Sequence, residues 1–181
     1  MPDLFGGLFL LTRGLLLDMV NQINKEYLRS FVFGCQDALV STTGVVVGIS
    51  AAVLDKRLIL LTAVITIMVE ALSMAAGQYL SEKTIHDIPN SHHKDNLILG
   101  SAIMFVAYAI GGIIPVLPVL LFSGQAASVL SVLFAFLGLY VLGYMKAKLF
   151  FGNPTKSSVE MLLIGGLAVL MGLVVGKYLK Y

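Results

Sequence analysis

Cys35 is the only cysteine in 181 residues, so no intrachain disulfide can form and no thiolate cluster is available to hold zinc or an iron–sulfur centre. Charge is scarce as well. Asp, Glu, Lys and Arg make up 12% of the chain against 58% hydrophobic residues, and the mean hydropathy is +0.93. A soluble domain carries roughly twice that share of charge. The formal net charge is only +2, and the Lys and Arg residues fall between apolar runs rather than in a patch, which excludes nucleic acid as a partner. No nucleophile–base–orienter set can be assembled and no phosphate-binding loop is present, so neither an enzyme nor a prosthetic group is expected.

What the chain does have is long apolar runs. Those at 31–54, 58–80, 97–122, 126–148 and 158–179 can each cross about 30 Å of hydrocarbon at about 1.5 Å per residue. They predict an all-α, polytopic integral membrane protein solvated by the lipid bilayer. An open sheet would leave backbone groups unpaired in lipid, and the short alternating strands of a barrel are lacking. Short connections leave no room for a second soluble domain, so the transmembrane unit is read as 31–181, with its longest loop at 81–96. Arg13, Lys25, Arg29, Lys83, Lys94, Lys146, Lys148 and Lys156 would share one side, and only Lys56, Arg57, Lys177 and Lys180 the other. That asymmetry predicts an N-in, C-out orientation.

The first 30 residues read differently. The apolar stretch 4–17 is roughly half a spanning length, is interrupted by Arg13 and has neither a basic leader nor a small-residue cleavage site, so a signal peptide is not expected. From Leu16 onward, Asp18, Asn21, Gln22, Lys25 and Arg29 share one helical face, with Leu16, Val20, Ile23 and Tyr27 roughly opposite. This predicts an interfacial amphipathic helix over 1–30. Within the spans, Gly44-x-x-x-Gly48 and Gly172-x-x-x-Gly176 allow close helix approach, and Pro115 and Pro118 are expected to kink or break the third helix. Tyr108, one turn before Gly112, carries no signal of its own.

Two carboxylates, Asp37 and Glu70, lie inside these apolar runs, where an ionised group costs on the order of 3 kcal/mol even on lenient scales. No intramembrane Lys, Arg or His compensates them, so they call for a cation or a proton. If the first helix enters and the second leaves on the same side, Asp37 and Met74 lie level, about 10 Å deep. Glu70 is four residues before Met74 and one turn deeper, and Ser41 is four beyond Asp37. A column of oxygens with one thioether is therefore expected between the first two helices. Oxygen ligands suit hard divalent ions, and the methionine sulfur shifts the preference toward a transition metal. Asp37 and Glu70 also bind protons, which compete with metal for the same oxygens. In the 81–96 loop, Glu82, His86, His92 and His93 are weaker candidate ligands, and a solvated polar loop is the plainer reading.

The segments FGCQDALVSTTGVVVGIS, VEALSMAAGQYLS, GGIIPVLPVL and KSSVEMLLIGGLAVLMGLVVGKYL, in this order, resemble the vacuolar iron transporter family from about Arg29 to the end of the chain. The resemblance implies a five-helix homodimer that moves Fe²⁺, and in many members Mn²⁺, out of the cytosol in exchange for protons. Its membrane would be the cell membrane in a prokaryote and the vacuolar membrane in a eukaryote. The positions matching the family's intramembrane metal site are Asp37 and Met74. The chain departs from the family pattern at Gln36 and Ala38, at Gln78 where an acidic residue is common, and in the loop SEKTIHDIPNSHHKDN, which stands where many members carry a glutamate-rich metal-collecting domain. A metal/proton antiporter, a divalent-cation channel without proton coupling and a non-transporting membrane assembly protein all remain open on the residues themselves.

Overall fold

The computed structural model describes residues 2–88, 96–149 and 152–179, with side chains for 25–88, 96–148 and 152–179. Five helices follow one another: α1 (Pro2–Ala52), α2 (Lys56–His86), α3 (Leu97–Leu121), α4 (Gln125–Leu149) and α5 (Pro154–Tyr178). No strand occurs among the described residues. All five helices are long and apolar enough to span a membrane, α1 over Lys25–Ala52. The chain is thus an all-helical integral membrane protein. Its outward faces are what lipid requires, with Leu72, Leu137 and Leu163 each more than half exposed.

Local chemistry sets the helix starts. Asp55 accepts the Arg57 backbone N–H at 2.8 Å. Asn96 accepts from Ile98 and Leu99, both at 3.1 Å, and Asn153 accepts from Thr155 at 3.1 Å and Lys156 at 3.3 Å, ahead of Pro154 in the first turn. The tight turn into α4 uses Gly124 at φ 70°, a left-handed conformation that glycine adopts without strain.

Three helix extents differ from the sequence expectation. α1 continues without a break through residue 30, because nothing between Lys25 and Phe31 interrupts a helix. α2 runs on to His86, so six residues of the expected 81–96 loop are helical; it ends at Asp87, two residues before Pro89. α3 passes through Pro115 and Pro118 unbroken. Both prolines are buried, and Ser131 of α4 donates its hydroxyl to the Pro115 carbonyl at 2.6 Å, so neighbouring helices support the segment where backbone hydrogen bonds are lost.

α1 is the central element and touches all four other helices. Its Cys35 and Leu39 pack with Ala107 of α3, Leu139 of α4 and Met161 of α5. The two glycine motifs meet each other: a Cβ placed on Gly48 would lie 2.9 Å from the Gly172 carbonyl oxygen, and one on Gly44 3.3 Å from that of Ala168. α1 and α5 are therefore in backbone contact, the geometry for which small residues are selected in lipid. α2 leans mainly on α3, which leaves a polar seam between α1 and α2.

Gly48→Leu is expected to force α1 and α5 apart and cost about 1–3 kcal/mol through overpacking. It should show as a lowered melting temperature in detergent, whereas Gly77→Ala, where no neighbouring atom lies within 4 Å, should leave the melting temperature unchanged.

Candidate metal centre

The α1–α2 seam is lined by residues at helical spacing. On α2, Glu70, Met74, Gln78 and Glu82 recur every four positions and so form one stripe. From Glu70 to Glu82 the stripe extends about 18 Å along the axis. On α1, Glu26, Ser30, Asp37 and Ser41 face the same region, placed there by α1's central position.

Met74 packs against a buried cluster of Ala38, Ala71 and Tyr108, and Ala38 is the residue that follows Asp37 on α1. Asp37 is half-buried and near enough to Glu70 for their charges to interact. Its carboxylate makes no hydrogen bond or ion pair among the described residues. Glu70 is different, since its Oε2 accepts the hydroxyl proton of Tyr108. The same phenol oxygen lies 2.5 Å from Ser41 Oγ. Because Tyr108 donates to Glu70, the Ser41 hydroxyl is the donor to Tyr108. Ser41 of α1, Tyr108 of α3 and Glu70 of α2 thereby form one hydrogen-bonded chain across three helices.

Tyr108 is the site residue that sequence reasoning passed over. It is fully buried. The signal was available in principle: a phenol within an apolar helix needs a partner for its hydroxyl, and the intramembrane carboxylate of Glu70 is such a partner. Ser41, expected from its spacing to share a face with Asp37, has its hydroxyl hydrogen-bonded to Tyr108.

No three His, Cys, Asp or Glu side chains converge on one point among the described residues. Asp37, Met74 and Glu70 from one chain fall short of the roughly six ligands a hard divalent ion takes. Of the weaker candidates, Glu82 is buried near the end of α2 and paired with Arg29, His86 is half-buried one turn further on, and His92 and His93 lie outside the described residues. A cavity of about 490 Å³ at the opposite end of the bundle is lined by Lys56 and Lys177 and by no acid. Its charge disfavours a cation.

Five membrane-length helices with acidic groups lodged between the first two define a polytopic membrane protein with an internal polar seam. The profile of the VIT family matches residues 28–98 and 93–177. The chain belongs to this family, whose members are membrane transporters and not enzymes. Among its relatives, "Vacuolar iron transporter homolog 2" of Arabidopsis thaliana is 28% identical over 157 residues, covering 80% of each chain. "Vacuolar iron transporter homolog 4" of the same plant is 29% identical over 160 residues, covering 80% of this chain and 79% of the relative. "Vacuolar iron transporter homolog 4" of Oryza sativa subsp. japonica is 40% identical over 60 residues, which is 33% of this chain and 28% of the relative.

Tyr108→Phe removes the hydroxyl on which Ser41 and Glu70 both depend, and is expected to cost about 1–3 kcal/mol. Combined with Ser41→Ala, the loss should be less than the sum of the two single effects, because both break the same network. Unfolding in detergent across the four-member cycle checks this; strict additivity would mean that the two hydroxyls do not act together.

Proposed function

We propose that the protein carries Fe²⁺, with Mn²⁺ as a second cargo, out of the cytosol and exchanges it for protons. The family and the names of its relatives support iron as the substrate. What supports the mechanism is a half-buried Asp37 carboxylate without a hydrogen-bond partner among the described residues, within range of the charge of Glu70, with Met74 packed on the cluster that contains the neighbouring Ala38. Oxygen and thioether together favour Fe²⁺ over Mg²⁺ or Ca²⁺. In this reading the metal enters along the α1–α2 seam from the end where α2 finishes, which is cytosolic in an N-in orientation, and the interfacial part of the N-terminal segment ends where the span begins at Lys25.

Two copies of the chain complete the site. A pair of Asp37 carboxylates balances the charge of one divalent ion, and two Met74 sulfurs bring the ligands closer to the usual number. The homodimer in this reading joins the α1 helices across a two-fold axis. Glu70 serves the proton. Metal at Asp37 disfavours a proton nearby and a proton disfavours metal, so exclusive occupancy couples the two ions. Tyr108 holds Glu70 in place and offers it a hydroxyl partner. Histidines at 86, 92 and 93, with Glu82, are peripheral to this cycle.

In liposomes, Asp37→Asn is expected to abolish Fe²⁺ transport. Glu70→Gln should remove the response to an imposed pH gradient, and Met74→Leu should chiefly weaken the preference for Fe²⁺ over Mg²⁺. Flux with and without the gradient decides the matter: undiminished gradient dependence in Glu70→Gln would move the proton to another group, and gradient-independent flux in the unmodified protein would make it a channel.

Assembly has its own test. Phe33 is exposed one turn before Asp37, so a cysteine there, in a Cys35→Ala background, should oxidise to a cross-linked dimer in native membranes. A chain that stays uncross-linked while retaining transport would place the first helices apart and leave the shared site without support.

A further inference from the structure

At the end of the bundle where α2 finishes, the same stripe reaches a second group of acids. Arg29 Nη2 lies 3.1 Å from Glu26 Oε2 and 3.0 Å from Glu82 Oε1. Gln78 Nε2 donates to the same Glu82 oxygen at 3.1 Å. The Glu82 side chain is only 9% exposed, and its other oxygen, Oε2, is buried with no hydrogen-bond partner. A buried, unpartnered carboxylate oxygen is costly. Beside it is a void of about 10 Å³, lined by Glu26, Tyr27, Ser30, Gln78, Glu82 and Asn96. That is room for about one water molecule or one bare ion.

Charge makes the ion the better match. Glu26 and Glu82 are two acids that share the one guanidinium of Arg29. The Arg29 side chain is 61% exposed, so water can solvate the guanidinium if it leaves the pair. A cleft of about 280 Å³, lined by Arg29, Ser30, Phe33, Gln78 and Met104, adjoins the void and gives the arginine somewhere to move. We propose that Glu26, Glu82 and the surrounding oxygens form a second divalent-cation site, and that Arg29 occupies it as a tethered competitor which an arriving metal displaces. The site has oxygen donors only, so it takes hard divalent ions without the selectivity of a thioether. As the mouth of the α1–α2 column it rests on the transport reading above; as a binding site it stands on its own geometry. Gln78 fits this role, since its amide supports Glu82 where an acid would repel it.

The test is Mn²⁺ binding to the full chain in detergent, followed by electron paramagnetic resonance, in an Asp37→Asn background that silences the intramembrane centre. That protein should retain one Mn²⁺ site. Adding Glu82→Gln should weaken it by about tenfold or more, and Arg29→Gln should instead tighten it by about tenfold, because a competing unit charge is gone. Arg29→Lys, which keeps a charge but cannot fork across both carboxylates, should fall between, and decides the matter if Arg29→Gln does not fold. The proposal is overturned if Asp37→Asn binds no Mn²⁺, if the residual binding ignores Glu82, or if both Arg29 variants weaken it; the void would then hold water and the arginine would be structural. Binding is read without transport, so failure here leaves the transport reading standing, and failure of transport leaves this site standing.

Discussion

A carboxylate in hydrocarbon must be balanced by a cation, a proton or a set of hydrogen-bond donors, and the α1–α2 seam is organised around that requirement. The acids along it are balanced in different ways. Glu70 receives a hydroxyl from Tyr108, which Ser41 backs in turn. Glu82 receives a guanidinium and an amide. Asp37 has neither, and sits half-buried beside Ala38, a member of the cluster on which Met74 packs. The arrangement thus distinguishes carboxylates that side chains of neighbouring helices engage from one that no side chain among the described residues engages.

Helix packing makes this seam possible. α1 occupies the centre and is drawn onto α5 by glycines whose backbones meet directly. It is fixed to α3 through Gly34, where an added Cβ would lie 3.0 Å from the Met104 carbonyl oxygen, and Gly111, where one would lie 2.9 Å from that of Cys35. Arg29 of α1 reaches Glu82 of α2, and Ser41 of α1 reaches Glu70 of α2 through Tyr108 of α3. α2 rests mainly on α3. Tight packing on two faces of α1 and a looser, ligand-bearing contact on the third are two results of one distribution of small residues.

Instead of a separate glutamate-rich unit, the end of the seam has two acids, one arginine and Gln78. Because α2 continues to His86, Glu82 belongs to the helical stripe rather than to a solvated loop. That continuation places it in line with Met74 and Glu70. The polar residues therefore run without a gap from the end of α2 to the middle of the membrane.

Much of this was legible in the residues alone. Five apolar runs and the absence of alternating strands settle the all-helical membrane class, because lipid permits so few ways to satisfy a backbone. The spacing of Glu70 and Met74, and of Asp37 and Ser41, places each pair on one helix face, since helical periodicity is a local property. Which helices meet is not local. The pairing of Gly44 and Gly48 with α5, the docking of Tyr108 between Ser41 and Glu70, and the meeting of Arg29 with Glu82 join residues 38 to more than 120 positions apart, and depend on how whole helix faces fit. Helix extents needed tertiary structure too: α3 passes through two prolines that are buried among the neighbouring helices. Composition and periodicity thus determined the elements and the faces that carry chemistry, and packing decided which of those faces meet and which carboxylate is left without a partner.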